Sequence, residues 1–508
     1  MAELPTGMIS ACEGREPLKL SAQVVVVGLG AGGGMVLREL ADRGVDVLGV
    51  ELGDYFSPED MTLAEEEMLP RLFLEGASRA TVDMSVSVMQ GMGVGGSTLH
   101  NTSLCKRLPQ GILDEWERLG LTGLGEELRE DFEAVEEALN VHRIPDDRVN
   151  RNNELLLKGV EALGYQGGRL AYNRKLCQAS GFCEVGCPND GKENAARALV
   201  LPALKVGARV LVHARVDRVL HQAGAVVGVR GRARDPETGA DGVPFEIQAD
   251  AVVLSASAPN SAALAMKSEV PDPKGLIGSR LHMHPGAFVM GVFDEPVQGW
   301  LGVPQSAECT EFLEFGKGAK RRVWLVSGFA HPGAAAGLMP GFGPAHGALM
   351  GLYPHVAAVI AMVHDHYGGR VAPGPAERVN LYYGLPLSEL EQVALGMREA
   401  ARILFAAGAR QVILPTAPPR LVEDMTEAAQ LTAADLGPFS PPLVAVHPMS
   451  TMWMGVDPET SVVDPFGAHH LLKGLHVADG SLFPSSIGGP PQIPIYALAR
   501  RVARAISV

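Results

Sequence analysis

Residues 24–27 are consecutive valines, the unbroken apolar run that a strand buried on both faces requires. After a glycine-rich turn, Met35, Val36, Leu37 and Leu40 fall on one helical stripe. A second apolar run over 45–50 then ends in Glu51. This stretch predicts strand, helix, strand. Beyond it, SPEDMTLAEEEMLPRLFLEG reads as an acidic helical excursion, and 112–138 as exposed helix with spaced leucines. Short strands are predicted at 210–212, 216–220, 226–229 and 251–255. Residues 285–385 carry β-like runs (AFVMGVF, RRVWLVS, AAVIAMVH, RVNLYYG), and helical periodicity returns over 387–407. A strand at 475–478 and a helix over 495–506 close the chain. Strand–helix material at both ends of a β-rich middle predicts a discontinuous α/β nucleotide domain interrupted by an inserted domain. The expected segments are 1–110, 111–195, 196–283, 284–444 and 445–508.

The first turn spaces Gly28, Gly30 and Gly33 as G-x-G-x-x-G, with Ala31 between them. Gly28 suits a tight turn, Gly30 lets backbone approach a pyrophosphate, and Gly33 lets the helix pack on the strand. The helix N-terminus offers unpaired N–H groups to the phosphates, and Glu51 is placed to accept from a ribose hydroxyl. A bound dinucleotide is expected. The composition fits a folded chain, with 508 residues, 46% hydrophobic and 20% charged. A formal net charge of −15 argues against nucleic acid and anionic membranes as partners. No apolar run reaches the ~20 residues needed to span a bilayer. The opening residues lack the basic and apolar regions of an export signal, so a cytoplasmic location is expected. Of six cysteines, Cys177, Cys183 and Cys187 cluster, which suggests metal or redox chemistry before a disulfide framework. Cys12, Cys105 and Cys309 stand alone and read as inert.

Five separated segments resemble the glucose–methanol–choline (GMC) oxidoreductases. GMGVGGSTLHN (91–101) is similar to the family's loop beside the flavin ring: Gly93, Gly95 and Gly96 free the backbone, Ser97 follows, and Asn101 falls at a recurrent Asn. VVLSASAPNSAALAM (252–266) resembles a family strand and turn, and HDHYGGRV (364–371) a substrate-domain hairpin. HPMSTMWMG (447–455) resembles the HPxGTxRMG active-site strand, and VADGSLFPSSIGGPPQIPIYALA (477–499) the closing flavin segment. The resemblance implies an α/β fold: a doubly wound FAD-binding Rossmann-type domain with an inserted antiparallel-sheet (α+β) substrate domain. It implies FAD rather than NAD, bound non-covalently by the Gly28–Gly33 turn, Glu51, the 93–101 loop, Val216, Asp479, Gly480, Pro491 and Gln492. His100 is the residue of that loop able to form a histidyl linkage.

What the resemblance implies for chemistry is hydride transfer from an alcohol carbon to the flavin, with His447 taking the hydroxyl proton. His282 and His284 read as structural. The second catalytic position departs from the pattern. Pro490 stands where the family has Asn or His, Pro494 replaces Thr, and Gln492 is the nearest amide. Met449, Met452, Trp453, Met454, Ile487 and Ile493 favour an apolar or bulky alcohol. Two alternatives stand beside this: a non-redox lyase keeping FAD for structure, and an electron-relay flavoprotein. CQASGFCEVGCPNDGKENA (177–195) resembles the 3Fe–4S loop of flavin-dependent sugar dehydrogenases and a segment of long-chain alcohol oxidases that includes Lys192. The residues leave open a cluster or three packed thiols, and hence an external electron acceptor or dioxygen.

Overall fold

A computed structural model describes residues 3–328, 330–437 and 439–508. Its nucleotide-binding half is a six-stranded parallel sheet drawn from both ends of the chain. The strands lie in the order Met8–Ser10, Arg209–Val212, Val47–Val50, Val24–Val27, Ala251–Leu254, Leu475–Val477. The runs at Val24–Val27, Val47–Val50 and Ala251–Leu254 are buried along their whole length, as their unbroken apolar sequence requires. Helix Ala31–Asp42 follows the first of these, and the closing helix Gln492–Ala505 packs on it. Arg500 ties the pair together, donating to Glu39 at 3.0 Å and to Asp131 at 2.5 Å.

The inserted part is a nine-stranded, mostly antiparallel sheet centred on Gly286–Val292, Val356–Val363 and Val323–Gly328. Helix Leu387–Ala407 lies along one of its faces, as the periodicity predicts. Helix Arg151–Leu163 packs beside it so closely that a Cβ on Gly159 would stand 2.2 Å from the Ile403 carbonyl oxygen. A smaller sheet joins Ala214–Gln222, Ala225–Arg234, Asp241–Gln248 and Leu18–Ser21.

Several elements differ from expectation. Strand Asp241–Gln248 was not predicted, because only Phe245 and Ile247 of DGVPFEIQ are buried and, apart from Val243, the rest is polar, Gly or Pro. The 112–138 helix is two helices, Gln110–Arg118 and Leu124–Ala138, separated where Gly120 and Gly123 take φ of +97° and +76°. Short helices Pro332–Leu338 and Gly343–Met350 form in a Gly-, Ala- and Pro-rich stretch with little amphipathic signal.

Candidate active site

A cavity of about 1390 Å³ opens where the parallel sheet meets the inserted sheet. That exceeds the roughly 300–1000 Å³ of a single small-molecule pocket, so it has room for a dinucleotide and a substrate. The glycine turn forms one end. Gly28 takes φ +89°, and a Cβ there would lie 2.5 Å from the Ser255 carbonyl oxygen. A Cβ on Gly33 would stand 1.8 Å from the Gly28 oxygen, the close helix–strand approach expected of that position. Gly32, which the fingerprint leaves unassigned, is tighter still, at 1.6 Å from the Ala478 oxygen. At Gly30 a Cβ would meet only the Cα of Gly96, at 3.8 Å, and Gly30, Ala31 and Gly32 line the cavity. The helix has no side-chain cap and no acidic residue in its first turn, so its N-terminus is free to meet a diphosphate.

Glu51 lines the cavity and also braces its two glycine loops. Its carboxylate accepts the N–H of Leu29 at 2.9 Å, of Gly53 at 3.0 Å and of Gly93 at 3.1 Å. Burial raises its pKa above the ordinary value despite these bonds. Gly93 and Gly95, at φ +105° and +110°, shape the second loop without facing the cavity. Gly96, Ser97, His100 and Asn101 do face it, as do Val216, Asp479, Gly480, Pro491 and Gln492. Asp479 is fixed by the Ser261 hydroxyl at 2.6 Å and the Ser481 N–H at 2.8 Å. The His100 ring lies 3.8 Å from that of Phe73, and burial and Lys192 push its pKa down to about 3. Sequence reasoning missed one lining network: Arg79 donates to Gln90 at 2.6 Å and to Asn260 at 3.0 Å, and Gln90 donates to Ser257 at 2.6 Å.

His447 follows strand Leu443–Ala445 and is half-buried in the cavity wall. Its Nδ1 is enclosed with no hydrogen-bond partner, which leaves Nε2 to meet a ligand. Burial, and then the neighbouring His284 ring at 5.7 Å, hold its pKa well below the ordinary value. It is therefore a neutral imidazole at neutral pH. Gln492 is placed differently from expectation. Its carbonyl accepts from Asn101 at 3.0 Å, and its amide donates to the Leu104 carbonyl at 2.5 Å. With both ends engaged, it braces the 91–101 loop and turns no free amide hydrogen to the cavity.

The wall opposite the glycine turn is built by alternation along the inserted strands. Phe288, Trp324, Val326, Ile360, Met362, Val444 and Val446 line it. Trp324/Val326 and Ile360/Met362 are i,i+2 pairs that share a face. The residues expected to supply this apolar surface do not. Met449, Met452, Trp453, Met454, Ile487 and Ile493 are core, exposed by no more than 4%.

The cysteine loop lies beside the flavin loop. Lys192, fully buried, donates to the carbonyls of Leu99 at 2.9 Å, Asn101 at 2.5 Å and Cys183 at 2.8 Å. Burial pushes its pKa down to about 8. Arg174 is equally buried and donates to Thr102 O at 2.8 Å and to the Cys177 sulfur at 3.5 Å. Burial alone would lower its pKa, but Cys183, Cys177 and Cys187 beside it raise it. All three cysteines are free thiols. Among the described residues, however, no three His, Cys, Asp or Glu side chains gather as metal ligands would, so the three sulfurs are not arranged to hold a cluster. The charges suit an anionic group and the sulfur positions do not hold one. Burial pushes the isolated Cys309 thiol up to about 11, in keeping with an inert role.

A glycine cradle on a parallel sheet thus opens into one cavity that His447, just past a strand, also faces. The GMC oxidoreductase family models match residues 69–286 and 374–499. An uncharacterized GMC-type oxidoreductase of Mycobacterium tuberculosis is 33% identical over 496 residues, 96% of this chain and 76% of its own. The chain belongs to the GMC oxidoreductase family, and the glycine cradle and Glu51 fit its FAD. A long-chain-alcohol oxidase of Arabidopsis thaliana is 24% identical, covering 95% of this chain and 68% of its own. Among solved structures, pyridoxine 4-oxidase from Mesorbium loti superposes with a TM-score of 0.67 at 19% identity, over 95% of this chain and 98% of that one. Aspergillus oryzae formate oxidase gives 0.70 at 17%, over 96% and 98%. These two share the fold. No helix among the described residues is long and apolar enough to cross a membrane.

Proposed function

We propose that the protein oxidises the hydroxyl group of an apolar or bulky alcohol, with His447 as the base. The observation that carries this is the pairing of a neutral, cavity-facing imidazole with an uncharged wall of strand side chains. Bound FAD supplies a hydride acceptor, so the chain has only to place the alcohol and receive its proton. The wall holds the alkyl part by burial, and His447 Nε2 accepts the hydroxyl proton. Burial disfavours the imidazolium, which couples proton uptake to departure of the hydride instead of letting it come first. The similarity to long-chain-alcohol oxidases supports this substrate class.

The wall makes a quantitative prediction. Each methylene buried is worth about 0.8 kcal/mol, so kcat/KM should rise roughly fourfold per carbon along a series of primary alcohols until the wall is filled. A series flat in chain length would remove the apolar-wall reading.

A further inference from the structure

His284 and His364 are buried and do not line the cavity, yet both are tied to the segment at the second catalytic position. The anchor is Asp365, wholly enclosed. It accepts from the hydroxyls of Tyr383 and Ser486, each at 2.8 Å, and from the backbone N–H of Met283 at 3.1 Å and His284 at 3.3 Å. Nδ1 of His282 lies 3.3 Å away. Burial alone would raise the Asp365 pKa, but His282, His284 and Tyr383 hold it well below the usual carboxylate range. Ser486 Oγ also lies 2.7 Å from Nε2 of His284 and 2.9 Å from Nδ1 of His364.

Nε2 of His284 accepts two successive backbone N–H groups, from Ile487 at 3.2 Å and Gly488 at 3.0 Å. Two amide hydrogens aimed at one ring nitrogen require a lone pair there. The tautomer with its single proton on Nδ1 supplies that lone pair, and leaves Nδ1 without a hydrogen-bond partner. Beyond the packing of the buried Ile487 side chain, the clamped segment has few polar ties. Gly488 takes φ +67°, Gly489 has no side chain, and Pro490 has no N–H. Pro490 and Pro491 nonetheless form part of the cavity wall.

We propose that His284 is a positioning residue for the second catalytic position, clamping the Ile487–Gly488 backbone so that the proline loop holds one shape against the substrate. A side chain at residue 490 would otherwise meet the substrate directly. Here the backbone shapes that wall, and a histidine from outside the loop holds the backbone.

The clamp depends on pH. Burial pushes the His284 pKa down to about 4, so the lone pair is present at neutral pH. A proton added to Nε2 makes it a donor toward Ser486, and the two amides lose their acceptor. The groups facing it are His282 on its own segment, Asp365, His364 and His366 across from it, and Tyr383 and His447. Arg322, paired with Glu389, donates to the His364 carbonyl at 2.7 Å.

The test uses the FAD-loaded full chain, His284→Ala and His284→Gln. The Gln carbonyl can accept both N–H groups but does not titrate. In hydrogen exchange of the peptide spanning 484–492, the Ala variant should exchange the Ile487 and Gly488 amides about tenfold faster or more, and the Gln variant within about threefold of the parent. Flavin reduction should slow by about tenfold in the Ala variant. In the parent, the protection of the Ile487 and Gly488 amides should be lost as pH drops toward about 4, and that acid loss should be absent in the Gln variant. Unchanged exchange in His284→Ala, or an acid loss of protection that persists in His284→Gln, overturns the proposal; if the Ala variant does not fold, the Gln variant's exchange at neutral and acid pH carries the test. Only the kinetic arm rests on alcohol oxidation, so a parent enzyme that no alcohol reduces would sink that reading while the exchange arm still tests the clamp.

Discussion

Replacing His447 with Ala should slow anaerobic flavin reduction by a bound alcohol about 10²–10⁴-fold, the range for losing a general base. FAD should stay bound, because the imidazole lies away from the glycine cradle and its Nδ1 makes no hydrogen bond to lose. The pH behaviour follows from the same surroundings. Burial and His284 lower the His447 pKa well below 6.5, so the base form is complete at neutral pH and is lost only in acid. Reduction by the parent enzyme should therefore be flat with pH around neutrality. Rapid mixing of the variant with substrate, followed at the flavin band, measures the loss. A rate within about threefold of the parent would remove His447 as the base.

Gly32→Ala should abolish FAD retention. A Cβ at that position would lie 1.6 Å from the carbonyl oxygen of Ala478, and the obstructing atom is backbone, so no side-chain rotation relieves it. The helix must then withdraw from the loop that carries Asp479 and Gly480, which opens the diphosphate cradle. The expected cost is about 3 kcal/mol or more, at the severe end for overpacking. The ratio of flavin to protein absorbance after purification, with the thermal midpoint of the apo-protein, reads both effects. Gly30→Ala is the control. A methyl there meets only Gly96 within the protein, so the apo-protein should remain as stable as the parent while FAD binding weakens.

Much of this was legible in the sequence because the determining interactions are local. The valine runs, the G-x-G-x-x-G turn and the helix over Leu387–Ala407 depend on neighbours a few residues away, and they appear where expected. Asn101 and Gln492 were both singled out, but not their bond, because it joins residues far apart in the chain. The apolar wall was missed for a related reason. The strands were visible, yet which alternate face met the cavity depended on which face the Leu387–Ala407 helix covered. The methionines after His447 were misread as wall because closeness in sequence does not fix direction; that segment bonds to Gly480–Leu482 and runs into the core. Gly32 carried no signal, since its constraint comes from residue 478.

Oxidation of an alcohol hydroxyl in this cavity must reduce the flavin. Its most direct test is to mix FAD-loaded protein, free of dioxygen, with a panel of aliphatic and bulky alcohols while watching the oxidised-flavin absorbance. Apolar alcohols should bleach the flavin within the mixing experiment, with the corresponding carbonyl compound formed in equal amount and bleaching suppressed in His447→Ala. Flavin that stays oxidised with every alcohol, in protein shown to hold stoichiometric FAD, would contradict it.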